Sequence, residues 1–210
     1  MIIDLHTHTK PWSDDSNLEL PALIHKAKQA GIDGVCLTEH GYFWDKNELA
    51  RLSQKHDFLI LPGVEIENLE GHILVFGVEK YSPDMHHAEH LRHIVDEAGG
   101  VMIMAHPFRG RFYDVDDIDD IVEQCYQKPV FRLVDTIETF NGRGSEKQNR
   151  FSRELGRRLN LEGVGGSDAH TTLHLPSCAT FFERKVGNVE ELITELKAGR
   201  FRGVDLRQNS

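Results

Sequence analysis

Short apolar runs alternate with segments patterned for helix along the whole 210-residue chain. That alternation constrains the fold most, because strands joined through helices pair in parallel and form sheets that helices cover on both faces. Residues 1–8 read as the first strand. Next, Leu20, Leu23, Ile24 and Ala27 fall at i, i+3, i+4 and i+7, one apolar helical stripe, and Gly31 is placed to end it. Further strands are predicted over 34–38, 58–66, 71–78, 101–105, 135–140, 163–166 and 177–182. Helices are predicted over 45–56, 84–98, 115–127, 145–159 and 189–198. With no internal repeat or linker, roughly seven strand–helix units predict one α/β domain over residues 1–210. A parallel sheet closed into a barrel, or nearly so, and an open doubly wound sheet share this local pattern.

Composition narrows the functions open to such a domain. Hydrophobic residues make up 39% and charged residues 28%, which excludes global disorder. Lysine and arginine number 24 against 34 acids, and the net charge of −10 opposes a stable complex with long nucleic acid. No apolar run approaches the roughly 20 residues that cross a bilayer. The N-terminus lacks the basic start and cleavage site of a signal peptide, so a cytoplasmic protein without membrane association is expected. Cys36, Cys125 and Cys178 are odd in number and far apart, and they read as buried small hydrophobes. Histidine stands out: 13 residues exceed what packing asks of a domain this size.

Those histidines, with several carboxylates, recur at the ends of the predicted strands. His6 and His8 end the first, Glu39 and His40 the second, and Glu65 and Glu67 the third. His72 begins the fourth, His106 follows the fifth, and Asp168 and His170 follow the strand at 163–166. In a parallel barrel the C-terminal strand ends share one mouth, so ligands scattered in sequence converge there. The one-residue gap between His6 and His8 points both rings to one side of a strand. Mixed imidazole and carboxylate donors suit zinc, manganese or iron better than calcium or magnesium. The histidines at 86, 87, 90 and 93 lack a carboxylate strand end and read as a solvated helix face.

The segments DLHTHT (4–9), LTEH (37–40), GVEI (63–66), GH (71–72), MAHPFR (104–109) and GSDAH (166–170) resemble, in order, the motifs of the PHP (polymerase and histidinol phosphatase) family. The resemblance implies a distorted, TIM-like (β/α)7 barrel with up to three divalent ions at its C-terminal mouth. It further implies that His6, His8, Glu65 and Asp168 take one ion, and that Glu65 bridges to a second held by His72 and His106. A third would take His40, His170 and an aspartate from the loop PWSDDS, for which Asp14 is the choice and its neighbour Asp15 the open alternative. Such a centre remains net positive, attracts a phosphate monoester and activates water. Glu65 and Asp168, with Arg109 as a forked phosphate clamp, are therefore the expected catalytic residues, and Arg109 and Arg143 the substrate-binding ones. Glu39 and Glu67 are candidates for orienting ligand histidines, and Asn141 for orienting substrate.

The leading expectation is a metal-dependent phosphoesterase, a phosphoric ester hydrolase of PHP type, acting on a small phosphorylated substrate with two to three transition-metal ions. Competing readings are a 3′-5′ exonuclease on short oligonucleotides and a non-catalytic, metal-stabilised binding module. An amidohydrolase also begins with HxH, but it bridges its metals with a carboxylated lysine, and here no lysine ends a middle strand.

Overall fold

The computed structural model describes residues 1–109 and 118–209. Among them are ten strands: β1 (Ile2–Thr7), β2 (Gly34–Leu37), β3 (Leu59–Pro62), β4 (Val64–Asn68), β5 (Gly71–Phe76), β6 (Val101–Met104), β7 (Thr136–Asn141), β8 (Gly163–Gly166), β9 (Cys178–Phe182) and β10 (Phe201–Asp205). The helices are α1 (Leu20–Gln29), α2 (Lys46–His56), α3 (Ala88–Glu97), α4 (Ile118–Tyr126), α5 (Glu146–Leu159) and α6 (Val189–Lys197). The first part of the helix predicted over 115–127 falls outside the described residues.

Local chemistry sets the helix starts. Asp45 accepts the N–H of Glu48 at the head of α2, and Asn188 accepts that of Glu191 at the head of α6. At α5, Ser145 and Gln148 form a reciprocal capping box.

The strands form two five-stranded sheets, ordered β10-β9-β1-β2-β3 and β4-β5-β6-β7-β8. The alternation of strand and helix over most of the chain gives the expected α/β architecture, but the hydrogen bonding does not close one continuous barrel. Parallel pairing holds for β1-β2-β3 and β6-β7-β8, whereas β4-β5-β6 and β1-β9-β10 are antiparallel. Single parallel bridges, Thr7 to Ala169 and His40 to Glu65, join the sheets, and both lie among the residues expected at the mouth.

The run predicted as one strand over 58–66 is broken at Gly63, where the chain passes from the first sheet to the second. A Cβ there would lie 2.6 Å from the Phe76 ring and 2.9 Å from Thr38 Cγ2, so this crossing needs glycine. β10 was not predicted; it pairs with β9, and its Gly203 packs against Val164 and Phe140.

Three apolar clusters hold the layers. Ile3, Leu5, Leu74, Phe76, Ile103 and Val164 pack with Leu192 and Leu196 of α6, which spans material from both sheets. The alternate residues Ile73, Val75, Met102 and Met104 instead pack against α3, α4 and α5 through Leu91, Val95, Ile121, Phe151 and Leu155. This is the two-residue period of strands covered on both faces. Leu23 and Ile24 of α1 and Leu49 of α2 cover Val35, Leu37 and Ile60 on the first sheet. No helix among the described residues is long and apolar enough to cross a membrane.

Candidate metal centre

His6, His8, His40, Glu65, His72, His106, Asp168 and His170 come together at one end of the two sheets. His6 Nε2 and His8 Nε2 stand 3.0 Å apart, and Glu65 Oε2 lies 3.5 and 3.2 Å from them. Asp168 Oδ1 is 3.7 Å from each of the same two nitrogens. The other Glu65 oxygen faces a different pair: Oε1 is 2.9 Å from His72 Nδ1 and 3.0 Å from His106 Nε2. One fully buried carboxylate thus divides its oxygens between two sets of imidazoles.

A third set lies against the first. His8 stacks on His40 and lies against His170, with centroid separations of 4.3 and 4.4 Å. From the loop, Asp15 reaches these rings, with oxygens 2.9 Å from His170 Nε2 and 3.4 Å from His40 Nε2, while Glu65 Oε2 lies 3.1 Å from His40 Nδ1 and Asp168 Oδ1 3.5 Å from His170 Nδ1. Asp14, the residue chosen from sequence, is exposed and forms no ion pair with them among the described residues. Sequence could not separate the two, because a one-residue step in an irregular loop has no fixed period to say which side chain turns inward.

The cluster has the chemistry of a cation site. Glu65 Oε2, Asp168 Oδ1, His40 Nδ1 and His170 Nε2 are buried at ion-pair distance from neighbouring groups but without hydrogen-bond geometry to any of them, an arrangement costly unless something else satisfies them. Three triads, His6–Glu65–His106, His6–His8–Asp168 and His8–His40–His170, each bring donor atoms within 4.8 Å of one another. The mixture of nitrogen and carboxylate donors fits divalent transition metals.

Electrostatics tie the cluster together. Burial pushes the His6 pKa down, but the carboxylates of Glu138, Asp168 and Glu65 outweigh it and hold His6 well above its ordinary value. Burial raises Glu65 and Asp168, yet the positive charge of His6 dominates and keeps both carboxyls below theirs. His8, desolvated with weaker compensation, falls to about 4.

Several supporting groups were not singled out from sequence. Glu138 accepts from His6 Nδ1 at 3.0 Å, from the backbone N–H of His106 at 2.8 Å and from Asn141 Nδ2 at 3.0 Å. It lies inside β7 and not at its end, so the strand-end pattern that flagged the other residues does not reach it. Ser13 bridges His8 to Glu39: its Oγ is 3.2 Å from His8 Nδ1 and donates to Glu39 Oε2 at 2.6 Å. Glu39 is thus linked to His8 through Ser13, whereas Glu67 is exposed. Gly166 lets β8 close on the cluster, because a Cβ there would meet His6 Cβ at 2.4 Å.

His106 and Asp168 both adopt positive φ, 24° and 54°, at the ends of β6 and β8. Non-glycine residues enter that region at a cost, and such strain concentrates at functional sites.

Arg109 and Arg143, both more than a third exposed, reach the same buried carboxylate. Arg109 donates to Asp168 Oδ2, while Arg143 Nη1 lies 3.7 Å from Oδ1 and 3.3 Å from His170 Nδ1. Asn141 also donates to Asp168, at 3.2 Å. A pocket of about 250 Å³ beside them is lined by Gly71, His72, His106 and Arg109. The histidines at 86, 87, 90 and 93 are exposed; His90 and His93 lie on the solvated face of α3, whereas His86 and His87 precede that helix.

Comparison with known proteins decides the family. The sequence matches the PHP domain over residues 4–140, well over half of the chain, and the PHP-associated family over residues 146–201. The chain belongs to the PHP family. An uncharacterized protein of Methanocaldococcus jannaschii is 29% identical over 117 residues, covering 51% of this chain and 68% of the relative. PsfC from Pseudomonas syringae PB-5123 superposes with a TM-score of 0.66 at 19% identity, over 97% of this chain and 90% of its own. A two-domain protein of Bacteroides vulgatus, described as containing a predicted PHP-like metal-dependent phosphoesterase, superposes with a TM-score of 0.69 at 18% identity. This PHP chain is covered over 97% of its length there but spans 64% of that longer protein. At such identities the structural likeness speaks for the fold alone.

Proposed function

We propose that this PHP protein is a metal-dependent phosphoesterase that hydrolyses a small phosphomonoester or nucleotide with two to three divalent ions of zinc, manganese or iron. The observation that carries the reading is Glu65, a fully buried carboxylate whose two oxygens face separate histidine sets.

His6, His8, Asp168 and Glu65 would hold one ion, and Glu65, His72 and His106 a second. His40, His170 and Asp15 would hold a third. When bound, the ions supply Lewis acidity to a phosphoryl group and lower the pKa of water towards neutrality. The protein's own part is placement. Glu138 and Ser13 fix the ring planes of His6 and His8 through their far nitrogens. Arg109 and Arg143 carry fork-shaped donors to the edge of the cluster, where they are placed to take the non-bridging oxygens of a phosphate. Their pairing with Asp168 keeps them at that edge before substrate arrives. We assign the protein to the cytoplasm, a compartment that keeps buried thiols such as Cys36 and Cys178 reduced.

The test is phosphate release from amino-acid, sugar and nucleotide monoesters by protein stripped with chelator and reloaded separately with manganese, zinc or iron, alongside a labelled trinucleotide. Metal-dependent release from a monoester supports the reading. Cleavage of the trinucleotide alone would replace it with the exonuclease, and no release with any metal would leave a binding module.

A further inference from the structure

Trp12 is a large aromatic residue left 40% exposed on the loop that delivers Ser13 and Asp15 to the cluster. Its ring is held on two sides. One face stacks on Tyr42 with centroids 4.1 Å apart and planes 21° from parallel, and the Trp44 ring meets it edge-on at 5.4 Å. Tyr42 lies two residues beyond His40, and Trp44, almost buried, directs its indole N–H to Glu39 Oε1 at 3.5 Å. The backbone beneath is also fixed: the N–H groups of Trp12 and Ser13 reach Thr9 O at 3.2 and 2.9 Å, and Asn17 N–H reaches His170 O at 3.0 Å. An exposed indole braced in this way, on the two loops that carry Asp15 and His40, is a preorganised platform.

We propose that the exposed face of Trp12 seats a planar ring on the leaving group of the substrate, either a nucleobase or an aryl group. The proposal rests on the phosphoesterase reading and narrows its substrate class. Stacking suits this geometry better than cation capture does. An aromatic cage needs rings flanking a hollow, whereas here Tyr42 covers one face of Trp12 and Trp44 meets both rings edge-on, so the three pack on one another. Stacking on an aromatic side chain is tolerant of which base or aryl ring is offered.

The experiment compares kcat/KM for adenosine 5′-monophosphate, phenyl phosphate, glycerol 3-phosphate and phosphocholine, using metal-loaded wild type, Trp12→Leu and Trp12→Phe. Wild type is expected to prefer ring-bearing esters by about tenfold, with the preference lost in Trp12→Leu and kept in Trp12→Phe. A preference for both ring esters identifies a general planar-ring seat, and one for the nucleotide alone a nucleobase seat. A preference for phosphocholine, no ring preference, or a preference that survives Trp12→Leu overturns the proposal. If wild type hydrolyses none of the four, the phosphoesterase reading is decided by the wider set of monoesters, and the platform is judged by binding. Adenosine should shift the Trp12 indole resonance in a ¹H–¹⁵N spectrum while ribose leaves it in place, and an unmoved resonance overturns the proposal.

Discussion

Glu138 braces two members of the cluster at once: one oxygen lies 3.0 Å from His6 Nδ1, and the other accepts the backbone N–H of His106 at 2.8 Å. Because it touches the far nitrogen of His6, it leaves Nε2 directed at Glu65 and Asp168. Replacing it with glutamine removes the negative charge that strengthens this hydrogen bond and so loosens the hold on the ring's orientation. Glu138→Gln should weaken metal affinity by about 10–100-fold, read by competition with a chromogenic chelator. Unchanged affinity would remove Glu138 from the account.

Asp14 and Asp15 make a paired test of the loop ligand. Asp15 faces His170 and His40, and although burial raises its pKa, those histidine charges dominate and hold the carboxyl below its ordinary range. Asp15→Asn should lower bound metal by about one ion per chain, with partial rescue by excess metal, while Asp14→Asn keeps wild-type content. Loss of an ion in Asp14→Asn, with none in Asp15→Asn, would reverse the assignment.

Arg109→Ala should raise KM for a phosphomonoester by about tenfold or more and lower kcat/KM with it, leaving metal content as in wild type. Steady-state kinetics on the metal-loaded protein provide the check. If KM and kcat both hold, the contact between Arg109 and Asp168 is only a structural ion pair.

The titration shifts fix the sign of a pH effect. In metal-free protein His6 is held above its ordinary 6.5, so its stabilising charge is complete below that value and is lost as pH rises through the folded pKa. His8, lowered to about 4, works oppositely: the unfolded chain takes its proton more readily, and stability falls as pH drops from 6.5 towards 4. Glu65 and Asp168, depressed in the fold, stabilise above their ordinary values of 4.5 and 3.8, and that contribution is lost as pH falls through their folded pKa values. Metal-free protein should therefore be most stable near pH 6.5 as far as this cluster governs it. Metal competes with protons for the same nitrogens, so the gain in Tm on adding metal should grow between about pH 6 and 8.5. Thermal melts across that range, with and without manganese, test this; a gain independent of pH would contradict it.

The site was more legible in sequence than the sheet that carries it. Histidines and carboxylates at strand ends are chemically conspicuous, and His6, His8, His40, Glu65, His72, His106, Asp168 and His170 all meet. Glu138 was missed because a single acid within Ile137–Phe140 looks like one polar position of an alternating strand until its neighbours across the chain are known. Strand direction is likewise invisible locally. β4 and β5 form an antiparallel hairpin through Leu69 and Glu70, and β10 pairs with β9 across a helix, although each apolar run reads like its parallel neighbours. The break at Gly63 is set by Phe76 and Thr38, residues remote in sequence, and no local pattern carries it.

The central claim is that Glu65 joins two metal positions within one cluster, and elemental analysis of metal-loaded wild type, Glu65→Gln and Glu67→Gln tests it most directly. Wild type and Glu67→Gln should each hold two to three ions per chain, since Glu67 is exposed, whereas Glu65→Gln should lose occupancy at two positions together. Fewer than one ion per chain in fully loaded wild type, or a Glu65→Gln protein with undiminished metal, would contradict the account.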